Sequence, residues 1–190
     1  MNNNISLDDD DMTALDKIKF IFKAMTGLND SSKAMPGMQP QEILDSFSKV
    51  GITPPPELVE LYQWHNGIED LESYTDMLSL DRAIEFYQGY RDFKNKYPEF
   101  GWQQGWFPIT DTNGDVQYCI DLKSSALIYL DMECDLIEKV CDHYEYYLDA
   151  LVYGFQNNIF IYDDDSESLV AKDNSWAEIA ARYNIKLGDE

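Results

Sequence analysis

Apolar positions along the chain change period several times, and each change marks an element. Leu15, Ile18, Phe22 and Met25 recur at helical spacing, with Ile21 widening the stripe. Thr13 stands where a cap belongs, with Asp16 three residues on. Gly27 to Pro40 then carries two prolines, two glycines and several small polar residues, the composition of a loop or linker. A second helix is predicted over Gln41–Val50, where Ile43, Leu44, Phe47 and Val50 share a face and Gly51 is the stop. Thr53-Pro-Pro-Pro56 leads into a third, Glu57–Trp64, because proline is tolerated in a first turn whose N–H groups are unpaired anyway. Leu58, Leu61, Tyr62 and His65 fall on one side of it, and Asn66-Gly67 is expected to supply the left-handed residue that ends it.

Asp76–Leu80 is short and reads as a strand, followed by a helix from about Asp81 to Lys96 with Ile84, Tyr87 and Tyr90 inward. Trp106–Thr110 and Val116–Leu122 flank Asp111-Thr-Asn-Gly-Asp115, and an Asn-Gly between two apolar runs is a strong hairpin signal. Ala126–Met132 and Leu136–Val140 extend the hairpin into a meander. Asp142-His-Tyr-Glu145 has capping-box chemistry with aspartate as the cap, and Tyr144, Tyr147, Leu148, Leu151 and Val152 continue as a helical stripe. Ile159–Tyr162 and Leu169–Ala171 straddle an acidic turn, Asp163 to Glu167. A last helix starts at Ser175, with Glu178 at the third position of another capping box. Helices surrounding one antiparallel meander make an α+β domain. The expected organisation is an N-terminal extension over residues 1–39 (acidic leader, helix and linker) and a single domain over residues 40–190.

Composition bounds the function. A chain of 190 residues buries about 70% of the surface its unfolded form exposes, so it needs no covalent staples. Aromatic residues make up 14%, far from the composition of a disordered chain, so the charge sits on a folded protein. That charge is extreme: 14 basic against 36 acidic residues give −22. Such a surface repels phosphates and anionic lipid heads, which argues against nucleic-acid and membrane-surface binding, and it speeds the encounter with basic partners. The same charge also serves solubility alone, and composition leaves both roles open. Three cysteines without a CxxC pair fit a reducing compartment. The first twelve residues carry Asp8 to Asp11 and no positive segment, unlike a secretory signal, and no apolar run approaches the roughly 20 residues of a membrane span. A cytoplasmic location is expected.

Catalytic machinery is not legible. Nucleophilic catalysis wants a base beside the nucleophile, and only His65 and His143 are present. His65 reads as a core or capping histidine, and His143, next to a helix cap, as a surface one. No Walker, GxSxG, HExxH or GxGxxG pattern occurs, and no Cys/His set has zinc spacing. Asp111-Thr-Asn113-Gly-Asp115 has its glycine two positions too early for a calcium loop, and Leu122 stands where the bidentate glutamate belongs, so it reads as a turn. No cofactor or metal is expected. Asp135, Glu138, Asp142, Glu145 and Asp149 recur at helical spacing, but a cap at Asp142 splits the stripe. Glu145 and Asp149 then share one helical face, while Asp131, Glu133 and Asp135 belong to the preceding strand and turn.

Three segments, in order, resemble the SUKH superfamily of immunity proteins and cell-wall-synthesis regulators. They are Ile52-Thr-Pro-Pro-Pro-Glu-Leu-Val-Glu-Leu-Tyr-Gln-Trp-His-Asn-Gly67, then Trp106-Phe-Pro-Ile-Thr110 with Asn113-Gly-Asp115 and Ile120-Asp-Leu122, and finally Val140-Cys-Asp-His-Tyr-Glu-Tyr-Tyr-Leu-Asp-Ala-Leu151. In the third, the superfamily commonly has Ser-Phe where this chain has His143-Tyr144. The resemblance implies a helix-flanked antiparallel sheet without a catalytic site. It makes Pro55, Leu58, Tyr62, Trp64, Asn66, Gly67, Pro108, Gly114, Asp115 and Asp121 signature positions with structural roles. It also implies an immunity protein that occludes a cognate toxin domain of nuclease or deaminase type, expected to be basic. Asp131, Glu133, Asp135, Glu145 and Asp149 are the candidate contact surface, with Asp163, Asp164 and Asp165 as an outlying group. The rival readings are a non-catalytic regulatory scaffold with several protein partners, and an enzyme using a carboxylate pair that the sequence does not single out.

Overall fold

The computed structural model describes residues 12–27, 33–72, 74–163, 168–172 and 175–186. The leader expected over residues 1–11 lies outside them. Along the chain run α1 (Ala14–Thr26), β1 (Lys33–Pro36), α2 (Pro40–Lys49), α3 (Pro56–Trp64), β2 (His65–Glu72), β3 (Thr75–Met77), α4 (Leu80–Lys96), β4 (Trp106–Pro108) and β5 (Thr110–Thr112). They are followed by β6 (Val116–Asp121), β7 (Leu127–Asp131), β8 (Leu136–Cys141), α5 (Tyr144–Gln156), β9 (Phe160–Asp163), β10 (Ser168–Ala171) and α6 (Ser175–Arg182). The fold is α+β, with an antiparallel sheet flanked by helices, as the periodicity predicts.

Eight strands form the main sheet in the order β1-β2-β3-β5-β6-β7-β8, with β4 also paired to β6, while β9 and β10 form a separate hairpin. β6 pairs with β7 through Tyr118↔Tyr129 and Cys119↔Ile128. Successive side chains on a strand point to opposite faces. Tyr90 of α4 donates to buried Gln117, whereas the neighbouring Tyr118 meets Tyr147 of α5 at 5.9 Å between rings. The sheet is therefore covered on both faces, by α4 on one and α5 on the other. Phe47, Tyr62, Tyr87, Trp102, Phe107 and Leu130 fill the first core, and Leu127, Val140, Ala150 and Ile179 the second.

Local signals are obeyed where they are self-contained. Thr13 Oγ1 accepts from the Asp16 amide at 3.2 Å, and Asp16 Oδ2 accepts from the Thr13 amide at 3.3 Å. Asn113 and Gly114 take φ of 55° and 87°, the left-handed pair that a tight hairpin between β5 and β6 requires. Gly51 follows α2 with φ of 75°.

Elsewhere the structure corrects the sequence reading. Part of the segment read as a linker is β1, which pairs with β2 at the sheet edge; residues 28–32 lie outside the description. The predicted strand Trp106–Thr110 is divided into β4 and β5 around Ile109. α3 does not end on Asn66-Gly67: it stops at Trp64, extended His65 is its cap, and both residues lie inside β2. Nor does Asp142 cap α5. His143 occupies that position without a side-chain cap bond, while the Asp142 carboxylate pairs with Lys139. The start of α6 at Ser175 is as predicted, and residues 173 and 174 before it lie outside the description.

The reason Asn66 and Gly67 sit inside a strand is long-range. Ser79 is the cap residue of α4, and Asn66 Oδ1 accepts the Leu80 amide at 2.9 Å, so it helps cap the start of α4 from β2. Gly67 has φ of 100°, and a Cβ there would lie 2.6 Å from Met35 Cε, 2.9 Å from Ser79 N and 3.1 Å from Met77 O. Asn66→Ala is expected to cost about 1 kcal/mol, the usual loss for a helix cap. Gly67→Ala should cost at least about 1 kcal/mol, from the left-handed backbone and the clash together. Urea denaturation of both variants checks this; unchanged midpoints would remove Asn66 and Gly67 from the α4 junction.

Candidate partner-binding surface

The acidic residues fall into groups with different neighbours. At the end of β7, Asp131 Oδ1 accepts the amides of Glu133 and Cys134, each at 2.9 Å. Asp131 is therefore the pin of the β7–β8 turn. Asp135, with φ of 51°, completes that turn. Glu133, Cys134 and Asp135 are all exposed, and neither Glu133 nor Asp135 is in an ion pair among the described residues. The hydrogen bond from the Cys134 amide holds the Asp131 carboxyl below the usual range, with the Glu133 amide adding to it against a small desolvation effect. The same carboxylate raises the Cys134 thiol.

Glu145 and Asp149, on the first turns of α5, are not bare. Lys17 of α1 reaches Asp149 Oδ1 at 2.6 Å and Glu145 Oε2 at 3.4 Å. The ammonium is the buried partner, its side chain 8% exposed against 32% and 37% for the carboxylates. Burial lowers its pKa, but the hydrogen bond and charge of Asp149, reinforced by Glu145, outweigh that and leave it raised. Nothing in the sequence pattern singles out Lys17 as part of this surface. The signal was a lone cation on the apolar side of a helix, between Ala14 and Ile21, and nothing local identifies its partners.

The two groups sit at opposite ends of β8. Its strand residues separate the β7–β8 turn from the start of α5 by roughly 16 Å, so the turn and the α5 face are separate patches. Asp163 ends β9 in the outlying hairpin, and Asp164 and Asp165 lie outside the described residues.

The signature positions surround this framework. Pro55 is the cap residue of α3, from which Leu58 and Tyr62 enter the core. Trp64 packs against His65 and Phe22, with ring centroids 4.3 and 5.6 Å away. Pro108 is fully buried in β4. The Asp115 carbonyl accepts the Met132 amide at 2.9 Å, tying the hairpin end to β7. Asp121 accepts from the Lys123 amide at 3.0 Å and the Ser124 hydroxyl at 2.6 Å, organising the β6–β7 turn.

The histidines are engaged as neighbours require. His65 Nδ1 donates to the Met35 carbonyl at 2.9 Å, fastening β1 to the helix end. His143 stacks on Tyr144 at 5.4 Å. Among the described residues no three His, Cys, Asp or Glu side chains are grouped to share a metal ion, and no helix is long and apolar enough to cross a membrane. Cys119 and Cys141 are buried and Cys134 is exposed, all as free thiols.

Lys17→Ala removes a mostly buried cation from two half-exposed carboxylates. It is expected to destabilise the fold by about 1–3 kcal/mol, between the values for exposed and fully buried pairs. Because the folded pKa is raised, the contribution of Lys17 is full below the ordinary lysine value near 10.4 and disappears as pH rises through the higher folded value. Chemical denaturation of wild type and variant up to alkaline pH should show their difference narrowing only there. Asp131 has the opposite sign: its turn contribution is present above about pH 4 and lost as pH falls through the depressed folded value. Protection of the Glu133 and Cys134 amides, taken relative to intrinsic exchange at each pH, should fall first in acid; retained protection there would show that Asp131 does not pin the turn.

The sequence pattern of the SMI1 / KNR4 family (SUKH-1) matches residues 37–181. The chain is also similar to a Bacillus subtilis (strain 168) protein described as uncharacterized protein YnaB, at 32% identity over 108 residues, covering 49% of this chain and 74% of the relative. With a match that runs from before α2 into α6, well over half of the sequence, the protein belongs to the SMI1 / KNR4 family (SUKH-1).

Proposed function

We propose that this chain is an immunity protein that binds a cognate, basic toxin domain and neutralises it by occlusion, without catalysis of its own. Membership of a family that includes toxin immunity proteins and cell-wall regulators supplies the class. The observation that carries the reading is the β7–β8 turn, where Glu133 and Asp135 stand exposed without a cation among the described residues. An exposed carboxylate pair on a rigid turn offers a basic partner charge at little ordering cost. A toxin that acts on nucleic acid must attract phosphate, so its active-site field also attracts such an inhibitor.

Glu145 and Asp149 contribute less to this surface than their charge suggests, because Lys17 already neutralises them in part. The double variant Glu133→Lys/Asp135→Lys is therefore the sharper test. It should leave the fold intact at a cost of about 1 kcal/mol or less, most of it from Lys at the left-handed Asp135 position. It should weaken the toxin complex by about tenfold or more and flatten its salt dependence. Labelling of Cys134 should slow when the partner is bound. Unchanged affinity and salt slope would exclude the turn as the docking surface. Co-expression with a toxic neighbouring open reading frame tests the class itself: restored growth supports immunity, and persistent toxicity favours the regulatory scaffold.

A further inference from the structure

We propose that the groove between α3 and α5 is a docking site for a basic amphipathic helix of a partner protein, and that α1 is its built-in, displaceable occupant. This deepens the protein-binding reading above and rests on it for the existence of a partner. The groove has a floor of sheet residues, Tyr118, Ile120 and Leu127, and walls formed by Leu61 of α3 and Leu151 of α5. α1 lies across it, packed on α5 and α3, with Leu15, Ile18 and Phe22 turned toward the floor.

Three observations make α1 an occupant as opposed to an integral wall. It precedes the family segment, residues 37–181, which contains both walls and the floor. It does not fill the groove: a cavity of about 330 Å³ remains between the helix and the groove. Protein interiors are packed with few voids larger than a water molecule, and a space of this size falls in the range of ligand pockets. A helix with bulkier apolar side chains fits the same site better.

The third observation is charge. Among the described residues, the charged ones lining the cavity are Glu57, Asp121 and Glu145, with His143 beside them and no lysine or arginine. Asp149 adds a further carboxylate at the α5 rim. In a chain with only 14 basic residues, α1 carries Lys17, Lys19 and Lys23 against a single Asp16. Its one buried cation, Lys17, is held by the rim carboxylates. The groove thus already selects an apolar stripe with a cation at its edge, the helix-in-groove mode of recognition. A tethered occupant competes at an effective concentration on the order of millimolar, so a partner helix pays for displacing it in apparent affinity.

The test uses the full chain and a fluorescent synthetic peptide of residues 12–27 as the probe. Full-length Lys17→Glu and Phe22→Ser variants loosen α1 from its charged and apolar sides respectively. Each folded variant should bind the peptide about tenfold or more tighter than wild type, and a peptide carrying Lys17→Glu should bind neither. Equal binding by wild type and variants, no binding at all, or equal binding of the charge-reversed peptide overturns the proposal. If neither variant folds, hydrogen exchange of the wild type decides: α1 amides should open before those of α5, and exchange of α1 only with global unfolding overturns it. The Glu133→Lys/Asp135→Lys chain should bind the peptide as wild type does. A wild-type chain that fails to neutralise the toxin while its α1 variants bind the peptide as expected therefore counts against the immunity reading alone.

Discussion

The pairing of β6 with β7 puts Tyr118 opposite Tyr129 on one face and Cys119 opposite Ile128 on the other, so neither face of the sheet is left to solvent. Strand alternation turns this into a rule for the helices. α4 brings Tyr90 to Gln117 on one side, and α5 brings Tyr147 to Tyr118 on the other. Even the buried polar group follows it. Gln117, fully enclosed, faces α4, accepts from Tyr90 and donates to Asp111 Oδ1 at 2.6 Å, so burying its amide leaves neither end unpaired.

Covering both faces also explains how charge is distributed. In a chain of formal charge −22, no Asp or Glu among the described residues is buried, so water reaches and screens these carboxylates. Asp131 and Asp121 spend theirs on backbone amides of tight turns. Glu145 and Asp149 hold Lys17, the buried cation that fastens α1. Acidity is therefore several things at once: turn chemistry, an inter-helix clamp, and an exposed remainder at Glu133 and Asp135 that suits a basic partner.

The candidate surface was half legible for that reason. Glu133 and Asp135 were readable because a polar turn between two apolar runs is exposed almost by definition. Glu145 and Asp149 were readable as one helical face, but not as a clamp, because their partner lies 128 residues away from Glu145. Helical spacing from Asp135 to Asp149 suggested continuity, and the separation of the β7–β8 turn from α5 by the length of β8 shows why spacing alone misleads when the element changes within the pattern.

Local chemistry in the sequence was enough for the helices, the Asn113-Gly114 hairpin, the Thr13 capping box and the α+β class, since each depends on residues within a few positions of one another. The family resemblance likewise rested on contiguous segments. Tertiary structure alone decided that Asn66 helps cap α4 instead of ending α3, that Lys33–Pro36 is an edge strand, and that Lys17 is buried against α5. Each of these joins groups distant along the chain. Their energies come from desolvation and hydrogen bonding at the point of contact, quantities that no period or composition encodes.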